Sequence, residues 1–220
     1  HRQGPMARSI ELARSRGGTP FSAGIVGLGT GSLACYARPA DHWRFYEIDP
    51  MVARIARDPK LFTFLSKCQP NADIVIGDAR LTLQKEQRAS FDHLLIDAFS
   101  SDAIPAHLMT REALAMYFEK LKPDGLLAIH ISNRYLDLGP IVASTAATLP
   151  GVHAAEVVWV PPADAPDASA STVFILTRDS TALKKVMTWP GAQSRPSKTV
   201  TPWSDDFTNV LGALLARISS

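Results

Sequence analysis

Short apolar runs alternate with helical stretches along this chain. Runs at 23–28, 43–48, 72–76, 93–96 and 126–131 predict five strands, and those at 152–160 and 172–177 predict two more. Residues 32–37 predict a short helix stopped before Pro39. Asp49-Pro50 opens a helix over 51–57, as a capping side chain followed by Pro at the first helical position. Helices are also predicted at 80–87, 110–121 and 140–149. In the second of these Thr110 is the cap, and Leu114, Tyr117, Phe118 and Leu121 mark the buried stripe. The run 93–96 is apolar at successive positions, as a strand covered on both faces requires. This order predicts an α/β fold, a doubly wound, mostly parallel, seven-stranded sheet. No helix separates the last two strands, so they are expected to pair as an antiparallel hairpin.

The flanks read differently. Residues 1–20 carry Arg2, Arg8, Arg14 and Arg16 around Ile10 and Leu12, a solvated basic helix ended by Gly17-Gly18-Thr19-Pro20. Lys122-Pro123-Asp124-Gly125 reads as a turn, 161–171 as a loop and 189–202 as a linker. The tail, 205–218, spaces Phe207, Val210, Leu211, Leu214 and Leu215 as a docked amphipathic helix does. The expected organisation is therefore an N-terminal basic helix at 1–20, a catalytic domain at 21–180, and a linker with a docked helix at 181–220. The start at His1 reads as a cut from a longer chain.

Composition narrows the class. With 46% hydrophobic and 20% charged residues in 220, the chain can build a core. Its 23 basic and 21 acidic residues leave a net charge of +2, too balanced to argue for nucleic acid. Two cysteines, Cys35 and Cys68, make no disulfide framework and point to a reducing compartment, the cytoplasm. No apolar run reaches the roughly 18 residues of a membrane span. The histidines and cysteines lack zinc-ligand spacing, so no metal is expected.

The chemistry concentrates at three strand ends. Gly27, Gly29 and Gly31 follow an apolar strand and open a helix, where backbone must bend tightly and pass close to a ligand. Glu47 ends the next strand, where a carboxylate can accept both hydrogens of a ribose diol. Asp78, in Gly77-Asp78-Ala79, can accept from an adenine amino group or cap a helix. Ser32 stands where a GxGxxG fingerprint needs its third glycine, so a single nucleoside is favoured over a dinucleotide. His130, ending the fifth strand, either faces this pocket or packs as a core histidine. Asp205-Asp206 either reaches an amine or caps a helix.

At these residues the sequence resembles the spermidine synthase (polyamine aminopropyltransferase) family, within the class I methyltransferase-like fold. It is most similar to bacterial spermidine synthase-like domains fused to membrane segments. The likeness runs through 25–32, Tyr46-Glu47-Ile48-Asp49-Pro50, Gly77-Asp78-Ala79, the segment 97–105 and His130-Ile131-Ser132-Asn133-Arg134-Tyr135. It implies aminopropyl transfer from decarboxylated S-adenosylmethionine to a polyamine or other amine acceptor. It implies Asp97 as the catalytic carboxylate, with Asp102 holding the cationic acceptor and Tyr135 lining the acceptor side. Cofactor binding falls to Gly27, Gly29, Thr30, Gly31, Glu47, Asp78 and Ala79. A homodimer, and a cytoplasmic domain of a membrane-fused parent, are further implications. Thr30 departs from the family, which carries an Asp there for the amine of the aminopropyl group. Asp97 and Asp102 also stand further apart than usual. Two alternatives follow: a small-molecule methyltransferase using intact S-adenosylmethionine, and a non-catalytic nucleoside-sensing domain.

Overall fold

The computed structural model describes residues 1–98, 105–133, 136–165, 168–196 and 200–218. Among them, strands β1 (Ser22–Val26), β2 (His42–Glu47), β3 (Asp73–Ile76), β4 (Phe91–Ile96), β5 (Leu121–His130), β6 (His153–Trp159), β7 (Ser171–Thr177) and β8 (Ala192–Gln193) form one sheet. Its order is β3-β2-β1-β4-β5-β7-β6-β8. The strands β3, β2, β1, β4 and β5 run parallel, while β7 is antiparallel to both β5 and β6. The expected hairpin of β6 and β7 forms, and β7 lies inside it against β5. The eighth strand is a two-residue addition at the edge, within the segment read as a linker.

Helices cover both faces, giving two cores. Leu94 and Ile96 of β4 turn to one, with Leu114 and Tyr117 of α5 (Arg111–Lys120) and Val142 of α6 (Gly139–Ala146). Leu95 turns to the other, with Ala53 of α2 (Pro50–Arg57) and Val186 of α7 (Ser180–Val186). Every residue of β4 is buried, including Asp92 and His93 ahead of the apolar run Leu94-Leu95-Ile96.

Three expectations change. The first helix, α1 (Pro5–Arg16), is not solvated: Ala7, Ile10 and Ala13 bury a narrow stripe against the sheet. Its arginines instead reach sideways, Arg14 to Asp41 at 2.6 Å and Arg16 to Asp179. Ser9 of the same helix bonds the buried His93 through Nε2 at 2.9 Å. Burial, then the Arg14 charge, pushes the His93 imidazolium down to about 3.

Second, the residues read as a turn at 122–125 lie within β5. Phe91 pairs with Leu121 and His93 with Leu126, so β5 takes five steps to β4's two and bulges there. Third, Cys35 and Cys68 form a disulfide. It joins the 3-10 turn Ser32–Tyr36 to α3 (Phe64–Cys68) and removes the argument for a reducing compartment. No helix among the described residues is long and apolar enough to cross a membrane.

The tail is anchored earlier than expected. α8 covers Val210–Ile218, and the segment before it is held by the buried Trp203, whose backbone N–H donates to Thr145 Oγ1 at 3.2 Å.

Candidate functional site

Strand order reverses at β1, with β2 and β3 on one side and β4 and β5 on the other. A doubly wound sheet opens a crevice outside the carboxyl ends of its strands at such a point. The three glycines lie there, with φ of +94° at Gly27, +51° at Gly29 and +79° at Gly31. A Cβ on Gly27 would sit 2.3 Å from the Asp97 carbonyl oxygen. Glycine therefore lets the ends of β1 and β4 touch, and this closeness sets the position of Asp97. Over Gly29 nothing lies within 4 Å, so its backbone faces open space.

Glu47 is buried at the end of β2 and already oriented. Its Oε2 accepts from the Leu28 N–H at 3.1 Å and its Oε1 from the Asp49 N–H at 2.9 Å. Each carboxylate oxygen keeps a second lone pair for a ligand hydroxyl. Asp78 caps α4 (Ala79–Gln84), accepting from the Leu81 N–H at 3.0 Å. Its other oxygen meets His107 Nε2 at 3.1 Å. The plain helix-cap role is thus realised, and the carboxylate remains on the wall of the site.

These groups line a cavity of about 290 Å³, with Gly27, Gly29, Glu47, Asp78, Ala79 and Asp97 around it. Thr30 and Gly31 are not on its wall. Gly31 instead backs onto Leu65 of α3, where a Cβ would come within 2.7 Å of the leucine side chain. Asp102 and Tyr135 lie outside the described residues. The sequence reading missed Ile48, Pro105 and Leu108, which add apolar surface to the wall, and His107. Ile48 could have been found, because an isoleucine directly after the strand-end Glu47 is left 68% exposed.

A second cavity of about 440 Å³ opens on the far side of Asp97. Asp97 lines both, together here with Ser32, Tyr36, His130 and Trp159. His130 therefore faces the site rather than packing in the core. Its Nδ1 meets Asp97 Oδ1 at 2.6 Å and its Nε2 meets Ser132 Oγ at 2.7 Å. Asp205 neither caps a helix nor lines either cavity. It forms a bidentate pair with Arg80 and accepts from the Thr110 hydroxyl at 2.8 Å. The Arg80 guanidinium holds the Asp205 carboxyl below its ordinary range. Arg80 also donates to the His107 carbonyl at 3.1 Å, tying the tail to the wall of the first cavity. Among the described residues, no group of three or more His, Cys, Asp or Glu is arranged to hold a metal ion.

No protein-family model matches the chain. A polyamine aminopropyltransferase from Vibrio vulnificus (strain CMCP6) is 37% identical over 110 residues, which take in 47% of this chain and 35% of that relative. The chain thus spans about a third of the curated relative it matches. Among solved structures, a probable spermidine synthase from Corynebacterium glutamicum superposes with a TM-score of 0.67 at 16% identity, covering 92% of this chain and 79% of that one. A spermidine synthase in complex with the transition-state analogue AdoDATO gives 0.60 at 16% identity, over 94% and 70%. Human Methyltransferase-like protein 13 in complex with SAH gives 0.55 at 18% identity, over 88% and 91%. The chain has the class I methyltransferase-like fold, in a form like that of the spermidine synthases.

Proposed function

We propose that this domain transfers an aminopropyl group from decarboxylated S-adenosylmethionine to an amine of the polyamine class. One observation carries the reading: Asp97 lines two cavities, the first shared with Gly27, Gly29 and Glu47 and the second with His130. In the first, Glu47 takes the ribose hydroxyls, Ile48 and Leu108 flank the base, and the turn at Gly27 and Gly29 admits the ligand backbone-close. When bound, such a donor supplies a carbon already activated by its sulfonium leaving group.

The chain's own task is the acceptor nitrogen. An alkyl amine is mostly protonated near neutral pH, as lysine is, and has no lone pair to attack with. A carboxylate between the cavities accepts that proton and aims the nitrogen. Asp97 is so placed, and Asp102 and Tyr135 are assigned to the acceptor by family likeness. The V. vulnificus relative and the spermidine synthase fold support this reading. The lack of an Asp at position 30, where the family carries one, favours a second reading, methyl transfer from intact S-adenosylmethionine.

The test is mass spectrometry of the products formed from each sulfonium donor with putrescine present. Methylthioadenosine and a lengthened amine are expected from the decarboxylated donor. S-adenosylhomocysteine with a methylated product, from the intact donor alone, overturns the aminopropyl reading. Asp97→Asn should lower turnover by about 10²- to 10⁴-fold and leave donor affinity within twofold by calorimetry.

A further inference from the structure

Asp97 does not stand alone. It directly follows β4, and His130 ends the neighbouring parallel strand β5, each one step beyond the Ile96–Ile129 pair. That register sets the two side chains side by side, with His130 Nδ1 2.6 Å from Asp97 Oδ1. His130 Nε2 is 2.7 Å from Ser132 Oγ, which accepts the Thr172 N–H at 2.8 Å. Both His130 and Asp97 are mostly shielded, at 16% and 25% side-chain exposure. His130 lines only the second cavity, where the acceptor amine is placed by the proposed function.

The donors along this chain follow from its two ends. An ionised carboxylate only accepts, so the hydrogen between Asp97 and His130 sits on Nδ1. Ser132 Oγ accepts the Thr172 N–H, and its own hydroxyl hydrogen is free to donate to Nε2. Nδ1–H is then directed at Asp97 and Nε2 at Ser132. Backbone of β7 thereby fixes Ser132, Ser132 fixes the ring, and the ring fixes one carboxylate oxygen. The same logic of a base oriented by a third group recurs wherever proton transfer must be aimed.

We propose that His130 is a positioning residue for Asp97. It pins Oδ1 by donation from Nδ1 and so turns Oδ2 toward the acceptor nitrogen, with Ser132 setting the tautomer. This rests on the proposed function for its catalytic consequence, but its geometry stands apart from it. An asparagine at 130 carries an amide N–H near the Nδ1 position, whereas a glutamine carries its donor one bond further out.

Two measurements on the full chain test it. The first is ¹⁵N NMR of the histidine rings at pH 8. His130 protonated on Nδ1 is expected in the parent, with that pattern lost in Asp97→Asn. A ring protonated on Nε2 alone overturns the proposal. The second is methylthioadenosine release by three variants. His130→Gln and Ser132→Ala should lower kcat, the former on the order of 10²-fold, the loss that a misplacement of about 1 Å brings. Donor affinity should hold within twofold, and His130→Asn should recover most of kcat. Equal losses in His130→Asn and His130→Gln overturn the positioning role, even with the expected tautomer. If the parent releases no methylthioadenosine at all, the aminopropyl reading fails. The NMR result then decides separately whether His130 holds Asp97.

Discussion

Two glycines in one turn should fail in different ways when given a side chain. Both Gly27 and Gly29 have positive φ, which costs an L-residue about 1–2 kcal/mol. At Gly29 that strain is the whole cost, because nothing lies within 4 Å of the added Cβ. In a chain of this size each kcal/mol moves the melting temperature by about 2–4 °C. Gly29→Ala should therefore melt about 2–8 °C lower and otherwise fold normally. Gly29 lines the first cavity, so its new methyl group projects into the space that the proposed function assigns to the nucleoside. At Gly27 the Cβ would stand 2.3 Å from the Asp97 carbonyl oxygen, against an ordinary carbon–oxygen contact of about 3.3 Å. The ends of β1 and β4 must part by about 1 Å, adding roughly 1–3 kcal/mol of overpacking. Gly27→Ala should melt about 4–20 °C lower, and the shift of Asp97 should cost about 10²-fold in turnover. Thermal melts by circular dichroism, run with and without S-adenosylhomocysteine, separate the two. Gly29→Ala should lose the ligand-induced rise in melting temperature, whereas Gly27→Ala should keep part of it. A Gly29→Ala protein that binds as tightly as the parent refutes the seat assigned to the ligand. A Gly27→Ala protein with parental stability and turnover refutes the contact between the two strand ends.

Other outcomes follow from named groups. Glu47→Gln leaves one oxygen to serve two backbone N–H groups. Loss of one charge-assisted bond at about 1.5–3 kcal/mol predicts a roughly 10- to 100-fold weaker Kd by calorimetry; an unchanged Kd would show that Glu47 only braces the turn. His93 titrates near 3 when folded and near 6.5 when unfolded, so between these values the unfolded chain binds the extra proton. Stability should therefore fall as pH drops below 6.5, by about 1.4 kcal/mol per unit, or about 2 kcal/mol by pH 5. Urea unfolding at pH 7 and 5 checks this, and His93→Gln should flatten the slope. Cys35 and Cys68 are 33 residues apart, a loop whose closure contributes about 3–4 kcal/mol. The Cys35→Ser, Cys68→Ser double variant should melt roughly 6–16 °C lower, and parental melting in reductant would contradict this.

The chain displays its strands plainly, because a parallel strand buried on both faces must be apolar at successive positions. Glycines after β1 and the acid after β2 are equally legible, since backbone curvature and strand-end charge are local demands. What the sequence conceals is pairing at a distance. Asp97 with His130, Asp78 with His107 and Arg80 with Asp205 are set by which strand ends and loops converge. No period in the chain records that. The cysteine pair was hidden for the same reason, since a single bridge has no spacing pattern to betray it. α7 was missed although its cap was visible: Asp179 accepts from the Thr181 and Ala182 N–H groups at the helix start. The run Lys122-Pro123-Asp124-Gly125 has turn chemistry, and the sheet absorbed it as a bulge. α1 misled because Arg8, Arg14 and Arg16 are spread along it, yet a stripe as narrow as Ala7, Ile10 and Ala13 suffices to bury it.

The shared wall at Asp97 also bears on the order of events. Under the proposed function, two chambers that meet at one carboxylate bring donor and acceptor into direct contact, so the group being moved need never rest on the protein. Both molecules would then be present together before either product leaves. Initial rates measured while varying both should give lines that intersect, the pattern of a ternary complex, and exchange of label between donor and product should not occur without the acceptor.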